Sequence, residues 1–309
     1  MDELHARLSE ALFSTTNRTF SRWEKIVLLL TIGSACVVAY VAFHTIDGAV
    51  RGYSASLLHH GSGVRGVVAA IVASVVAGVV GLVIAGRVRP DAAIFATAVS
   101  LLFFRLQGGA AKYTLLVADG RAGFTLMAAE VALLAGFLIA IGLCQRLLVS
   151  RMVIADDAAR DGCTLSRESI DQKLLCSATV AVVTTAGMMI LCQSDNPLQV
   201  VWAVFLSSLA ATWCTFRFVP VAPSVWYWVG PAIAGLVGYI YAYFYGYQFA
   251  AIGEPSGVLA SLARATPLDY ASVGVVGSLC GYWIGRKQHR ERQEQAEAEA
   301  AGGSNIVTG

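Results

Sequence analysis

Long apolar runs alternate with short polar links through most of the chain. They occupy positions 26–46, 67–85, 92–104, 123–143, 174–192, 197–216, 226–244 and 270–285. An α-helix rises about 1.5 Å per residue, so about 20 apolar residues cross a hydrocarbon core about 30 Å thick. The pattern predicts an all-α fold, a polytopic transmembrane helical bundle of eight spans. The third and eighth runs are short. The third is expected to be a half-helix or a tilted span, extended by the stretch 108–117.

The basic residues give the predicted bundle an orientation. With eight spans and the N-terminus inside, only Arg51, Arg65, Arg105, Lys112, Arg121 and Arg264 face the outer side, so sixteen of the 22 basic residues are cytoplasmic. Cytoplasmic loops carry the excess of Lys and Arg, so both termini are expected to be cytoplasmic. The expected home is a plasma or inner membrane, and the expected partner is the lipid bilayer.

Three regions follow from this pattern. Residues 1–25 form a cytoplasmic N-terminal segment, with Leu4, Leu8, Ala11 and Leu12 on one helical face suited to the interface. Residues 26–286 are the transmembrane domain, interrupted by a cytoplasmic loop at 146–173. Within that loop Ser169 and Gln172 have the spacing of a capping box for the fifth helix. Residues 287–309 are a polar, partly disordered cytoplasmic tail, helical at first and able to pair Arg290 with Glu294.

Composition supports the membrane class. Of 309 residues 57% are hydrophobic and 14% charged, with mean hydropathy +0.65, against about 25% charged in a soluble domain. The net charge of +2 is spread between the apolar runs, so no clustered basic footprint for nucleic acid is present. The seven cysteines include no Cys-x-x-Cys pair, and six of them lie in apolar runs. They read as small apolar residues rather than as disulfides or zinc ligands.

Small residues recur every four positions. The second run has Gly66, Ala70, Ser74 and Gly78 beside Ala69, Ala73, Ala77, Gly81 and Ala85. The fourth has Ala128, Ala132, Gly136, Ala140 and Cys144, the seventh Gly230, Ala234, Gly238, Ala242 and Gly246, and the eighth Gly277, Gly281 and Gly285. Membrane helices approach through such faces because lipid supplies little hydrophobic drive between them. The second helix, small on two sides, is expected at the bundle centre. The same faces would serve a homo-oligomer or a membrane-complex partner. Tyr239, Tyr241, Tyr243, Tyr245 and Tyr247, together with Tyr282 and Trp283, read as interfacial anchors.

Runs two to four and five to seven share a pattern that suggests an inverted 3+3 repeat. Each unit links its first two helices through a proline, Pro90 or Pro197, and its second helix ends in Phe-Arg, at Arg105 or Arg217. Inverted repeats of this kind build many secondary transporters. A more local pattern, Val225-Trp226-Tyr227-Trp228-Val229-Gly230-Pro231, resembles the start of the last membrane helix of aquaporins. It covers under a tenth of the chain. The Asn-Pro-Ala pair of that family is missing, since Asn196-Pro197 precedes Leu198, so these tryptophans read as interfacial.

Candidate chemistry centres on Glu130, the acidic residue inside a span, where an ionised carboxylate needs a partner or water. Arg105, Lys112 and Arg121 are its expected partners, and Gln107, Gln199 and Arg217 complete the polar groups suited to transport or ion pairing. His44, His59 and His60 are weak metal candidates, because no helix carries a histidine pair at ligand spacing. No cofactor is expected. The chain has no Gly-x-Ser-x-Gly elbow, His-Glu-x-x-His pair, phosphate loop or Rossmann fingerprint, so an enzyme is disfavoured. Two functional readings stand: a channel or carrier for a small solute or ion, and a noncatalytic membrane subunit or scaffold of a larger complex.

Overall fold

The computed structural model describes residues 22–46, 64–85, 91–107, 121–152, 169–193, 196–221, 224–246 and 260–303. The expected N-terminal amphipathic segment, the outer loop with His59 and His60, most of the cytoplasmic loop and the last six residues lie outside these. Every regular element among the described residues is helical. The helices are α1 Arg22–Ile46, α2 Val64–Ala85, α3 Ala92–Gln107, α4 Arg121–Met152, α5 Ile170–Leu191, α6 Pro197–Phe218, α7 Val225–Tyr241, α8 Ala260–Arg264, α9 Pro267–Asp269 and α10 Val275–Gly303. A π turn, Ala242–Gly246, continues α7, and a second, Tyr270–Gly274, joins α9 to α10 without a break.

Six of these, α1, α2, α4, α5, α6 and α7, are long and apolar enough to cross a membrane, and α3 is a shorter apolar helix. The fold therefore suggests a membrane-embedded protein. Local chemistry sets the helix starts. Ser169 and Gln172 close the capping box expected before α5, with Gln172 N–H donating to Ser169 Oγ and Ser169 N–H to Gln172 Oε1. Asn196 caps α6 by accepting from Leu198 N–H, ahead of Pro197 in the first turn.

Close contacts fix the direction of each helix. Thr97 donates to Ser74 O and Ala92 faces Gly81, so α2 and α3 run antiparallel. The α1–α2 pair is antiparallel too: Thr31 lies beside Gly81, and Val27 packs with Ala85. Ser177 donates to Trp226 O while Gly230 meets Val180, so α5 and α7 are parallel. Gly277 and Gly281 face the backbone of Phe205 and Leu209, which makes α10 parallel to α6. Directions thus alternate along the chain, and the start of α1 lies at the same end of the bundle as the polar half of α10.

Burial corrects several expectations. The centre is α3, not α2: every residue from 92 to 101 is buried, as is every residue from 265 to 275. On α2 the two small-residue stripes merge into one buried face through Ala70, Ala73, Ser74, Ala77, Gly78 and Ala85, and valines such as Val72, Val79 and Val83 cover the opposite face. The α4 stripe of Ala132, Gly136, Ala140 and Cys144 is exposed, and a Cβ on Gly136 would meet nothing within 4 Å. Of the expected interfacial aromatics, Trp228, Tyr239, Tyr282 and Trp283 are buried, Trp226, Tyr241 and Tyr243 are half-buried and Tyr245 is exposed. Phe216, Tyr227 and Tyr282 form one ring cluster with centroids 5.4 to 5.7 Å apart, because small residues elsewhere leave space that large rings fill.

The two halves of the suggested repeat share the α2–α3 and α5–α6 hairpins but differ beyond them. α5 packs along α7, while α2 and α4 touch only marginally.

Candidate functional site

The inward face of α4 carries a polar group near each end. Gly123, Met127, Glu130, Val131, Leu134, Leu138 and Gln145 are all buried, a helical stripe turned to the core. Fifteen residues separate Glu130 from Gln145, about 22 Å along the axis, and the stripe between them is apolar.

The Glu130 end holds a buried ion pair. Arg105, in the last turn of α3, is 6% exposed, and its Nε donates to Oδ1 of the fully buried Asp269 at 2.7 Å. The second carboxylate oxygen is also engaged: Asp269 Oδ2 accepts from Thr266 N–H at 2.7 Å and from Thr266 Oγ1 at 2.9 Å. Thr266-Pro267-Leu268-Asp269 is a capping box that starts α9 and holds the carboxylate rigidly toward α3. Charge-assisted bonds of this kind offset the desolvation of a buried pair only when the remaining lone pairs are satisfied, and here they are.

Two tyrosines fasten this ion pair to the bundle. Tyr239, near the end of α7, donates to Ala265 O, and Tyr270 in the second π turn donates to Leu262 O at 2.8 Å. Their rings meet edge to face at 6.2 Å. Gly235 and Gly238 make room for this, since a Cβ on either would fall 2.5 or 2.6 Å from Tyr270 or Leu262. Tyr239 lies within electrostatic range of Asp269, Glu130 and Arg105. Arg105 of α3 and Asp269 of α9 therefore meet here, with Glu130 of α4 in the electrostatic surroundings of the Tyr239 hydroxyl. Arg264, just upstream, donates to Cys192 O at 3.0 Å and ties α8 to the end of α5.

The expected site residues divide accordingly. Arg105 is hydrogen-bonded to Asp269, and Glu130 lies in the electrostatic surroundings of Tyr239. Arg121 is exposed and sits over the Tyr243 ring at 5.6 Å. Gln107 ends α3, with its side chain outside the described set, as is Lys112. Gln199 donates to Leu191 O at 3.0 Å in the α5–α6 turn. Arg217 is exposed at the far end of α6, so the two Phe-Arg ends have different surroundings. His44 is exposed with its ring 4.2 Å from that of Tyr40. Among the described residues no three His, Cys, Asp or Glu side chains lie together as metal ligands.

Asp269 was absent from the sequence reading because it stands one residue before an apolar run and looked like a flank. Its signal was the capping spacing from Thr266, the same pattern that marked Ser169 and Gln172. Tyr239 gave no comparable signal, since its neighbours Tyr241, Tyr243 and Tyr245 carry the same chemistry.

At the Gln145 end, Ser224 before α7 donates to Asp91 Oδ1 at 2.6 Å, joining the starts of α3 and α7. One turn further on, Trp228 is 1% exposed. Compared with known proteins, the chain matches no family model, no curated protein and no solved structure at a significant level.

Proposed function

We propose that the protein is a multi-pass membrane channel or carrier for a small solute or ion, with Glu130 as its exchangeable ionisable group. The observation that carries this reading is the burial of Arg105, Asp269 and Glu130 at one end of the bundle, with Glu130 inside α4, a helix long and apolar enough to span a bilayer. Ionisable side chains are costly in that setting and commonly mark a proton or substrate path. Asp269 and Thr266 fix the guanidinium of Arg105 as a permanent local charge. Glu130 can then gain or lose a proton, or meet a cation, beside a constant field.

The alternating helix directions support eight crossings, with α3 and the α9–α10 helix as the short ones. With the positive-inside bias, both termini are cytoplasmic, the Arg105 cluster lies toward the outer side, and the membrane is a plasma or inner membrane. The shared α2–α3 and α5–α6 hairpins favour an inverted repeat. The unlike α2–α4 and α5–α7 contacts and the unlike settings of Arg105 and Arg217 weigh against it, so the transport reading does not depend on it.

A noncatalytic membrane subunit or scaffold is the second reading. The exposed small-residue stripe of α4 favours it, because such a face suits a further helix of another copy or of a complex partner.

Reconstituted vesicles separate the two. Glu130→Gln keeps shape and hydrogen-bonding capacity while removing ionisation, so a carrier or channel loses proton-coupled or cation flux while its melting temperature in detergent holds. Flux that persists in the variant alongside a lowered melting temperature assigns Glu130 to structure and removes the basis of the transport reading.

A further inference from the structure

Among the described residues, two buried polar groups at the Gln145 end have no hydrogen-bond partner. Both amide atoms of Gln145, which is 4% exposed, are without a partner, and so is Nε1 of Trp228. A buried donor or acceptor left in this state costs about 1–3 kcal/mol, and nearly all such groups find a protein or water partner. Buried hydroxyls such as Ser207, Ser208 and Thr212 also make no bond but carry less weight, because a hydroxyl can rotate to a carbonyl one turn back. The indole N–H is fixed by its ring and has no such choice.

Trp228 stands at a junction of three helices, one turn of α4 away from Gln145. A Cβ placed on Gly142 would lie 3.8 Å from Trp228 Cζ2 and 3.2 Å from Ile94 Cδ1, so α3, α4 and α7 meet there. Cζ2 is bonded to Cε2, the carbon that bears Nε1, so the N–H edge of the indole is the edge turned toward α4. Gln145 stands one turn beyond Gly142, and helical side chains lean back over the preceding turn, which brings the amide toward that edge. α4 runs antiparallel to α7, since Arg121 sits over the Tyr243 ring just past the end of α7 while Gly142 neighbours Trp228. Gln145 therefore falls toward the layer of Asp91 and Ser224, where a carboxylate and a hydroxyl are already joined.

We propose that this junction of α3, α4 and α7 is a binding site for one small neutral hydroxylic molecule, a water or the hydroxyl group of a polyol. An O–H oxygen can accept from Trp228 Nε1 and Gln145 Nε2 while its proton is donated to Gln145 Oε1. A cation would face two donors, and an anion would face the Asp91 carboxylate close by. The missing side chain at Gly142 lets Ile94 and Trp228 approach α4 closely. The site stands independently of the transport reading, and its test involves no flux.

The full-length chain in detergent supplies that test. In a variant with Trp23, Trp202, Trp213, Trp226 and Trp283 changed to Phe, the ultraviolet resonance Raman band of the remaining indole N–H reports its hydrogen bonding. A hydrogen-bonded N–H is expected, weakened by Gln145→Leu. Adding glycerol shifts the band if the occupant is a polyol hydroxyl and leaves it unchanged if the occupant is water. A free N–H with and without Gln145 overturns the proposal. Should the five-fold variant fail to fold, melting of Gln145→Leu alone in the otherwise native chain decides it. A fall of a few degrees fits an occupied, satisfied amide, whereas a rise means that an unsatisfied amide was removed and the site does not exist.

Discussion

Arg105 and Asp269 lie 164 positions apart in the chain, yet the guanidinium Nε and carboxylate Oδ1 meet at 2.7 Å with both side chains buried. The contact joins the two short apolar helical segments of the bundle, α3 and the continuous α9–α10 helix. With the two side chains 7% and 0% exposed, neither charge can relax into water.

Breaking this pair from one side is therefore expected to be costly. Asp269→Asn leaves a buried guanidinium against a neutral amide, and removal of one partner of a buried pair costs about 3–5 kcal/mol. The double variant Arg105→Met/Asp269→Asn should recover much of that loss, since no charge is then stranded. Thermal unfolding in detergent checks both, and a double variant as unstable as the single one would mean that the damage lies in the Thr266 cap rather than in the ion pair.

Glycine substitutions should separate by contact and not by helix propensity. A Cβ at Gly277 would fall 2.5 Å from the carbonyl oxygen of Phe205, and one at Gly281 would press on the Leu209 carbonyl. Gly277→Ala and Gly281→Ala should each lower folded yield and melting temperature by prying α10 from α6. Gly136→Ala, which meets nothing within 4 Å, should be neutral or stabilising by up to about 1 kcal/mol. Equal effects at the three positions would contradict the packing of α10 on α6.

The tyrosine clips make a local prediction. Tyr270→Phe removes the donor to Leu262 O and leaves that buried carbonyl short of a partner, a cost of about 1–3 kcal/mol. Hydrogen exchange should accelerate in residues 260–270 first, with α5 and α6 little changed. Uniform acceleration across the chain would mean that the clip supports the whole bundle.

Topology is open to direct measurement. Reporter fusions after Phe20, between Asp156 and Arg167 and after Ala301 should all report the cytoplasm, and one near Ser62 the opposite side. A reporter at Asp156 on the outer side would break the eight-crossing arrangement.

The sequence by itself determined the all-helical class, the apolar character that suggests a membrane protein, the approximate limits of the apolar helices and the Ser169–Gln172 cap. Each depends on residues near one another in the chain: a run of apolar side chains long enough for a bilayer, or an oxygen three positions from the amide it accepts. It also singled out Glu130 and Arg105, because charge inside an apolar run is conspicuous without any knowledge of neighbours. Tertiary structure alone decided what those residues meet. It placed Asp269 against Arg105, buried Trp228, Tyr239, Tyr282 and Trp283 that composition assigned to the interface, made α3 the central helix and turned the small-residue stripe of α4 outward. Spacing along a helix says which residues share a face but not what that face meets. In this chain, where outward-facing and core-facing positions are both apolar, hydrophobicity does not tell the two apart, and only packing in three dimensions does.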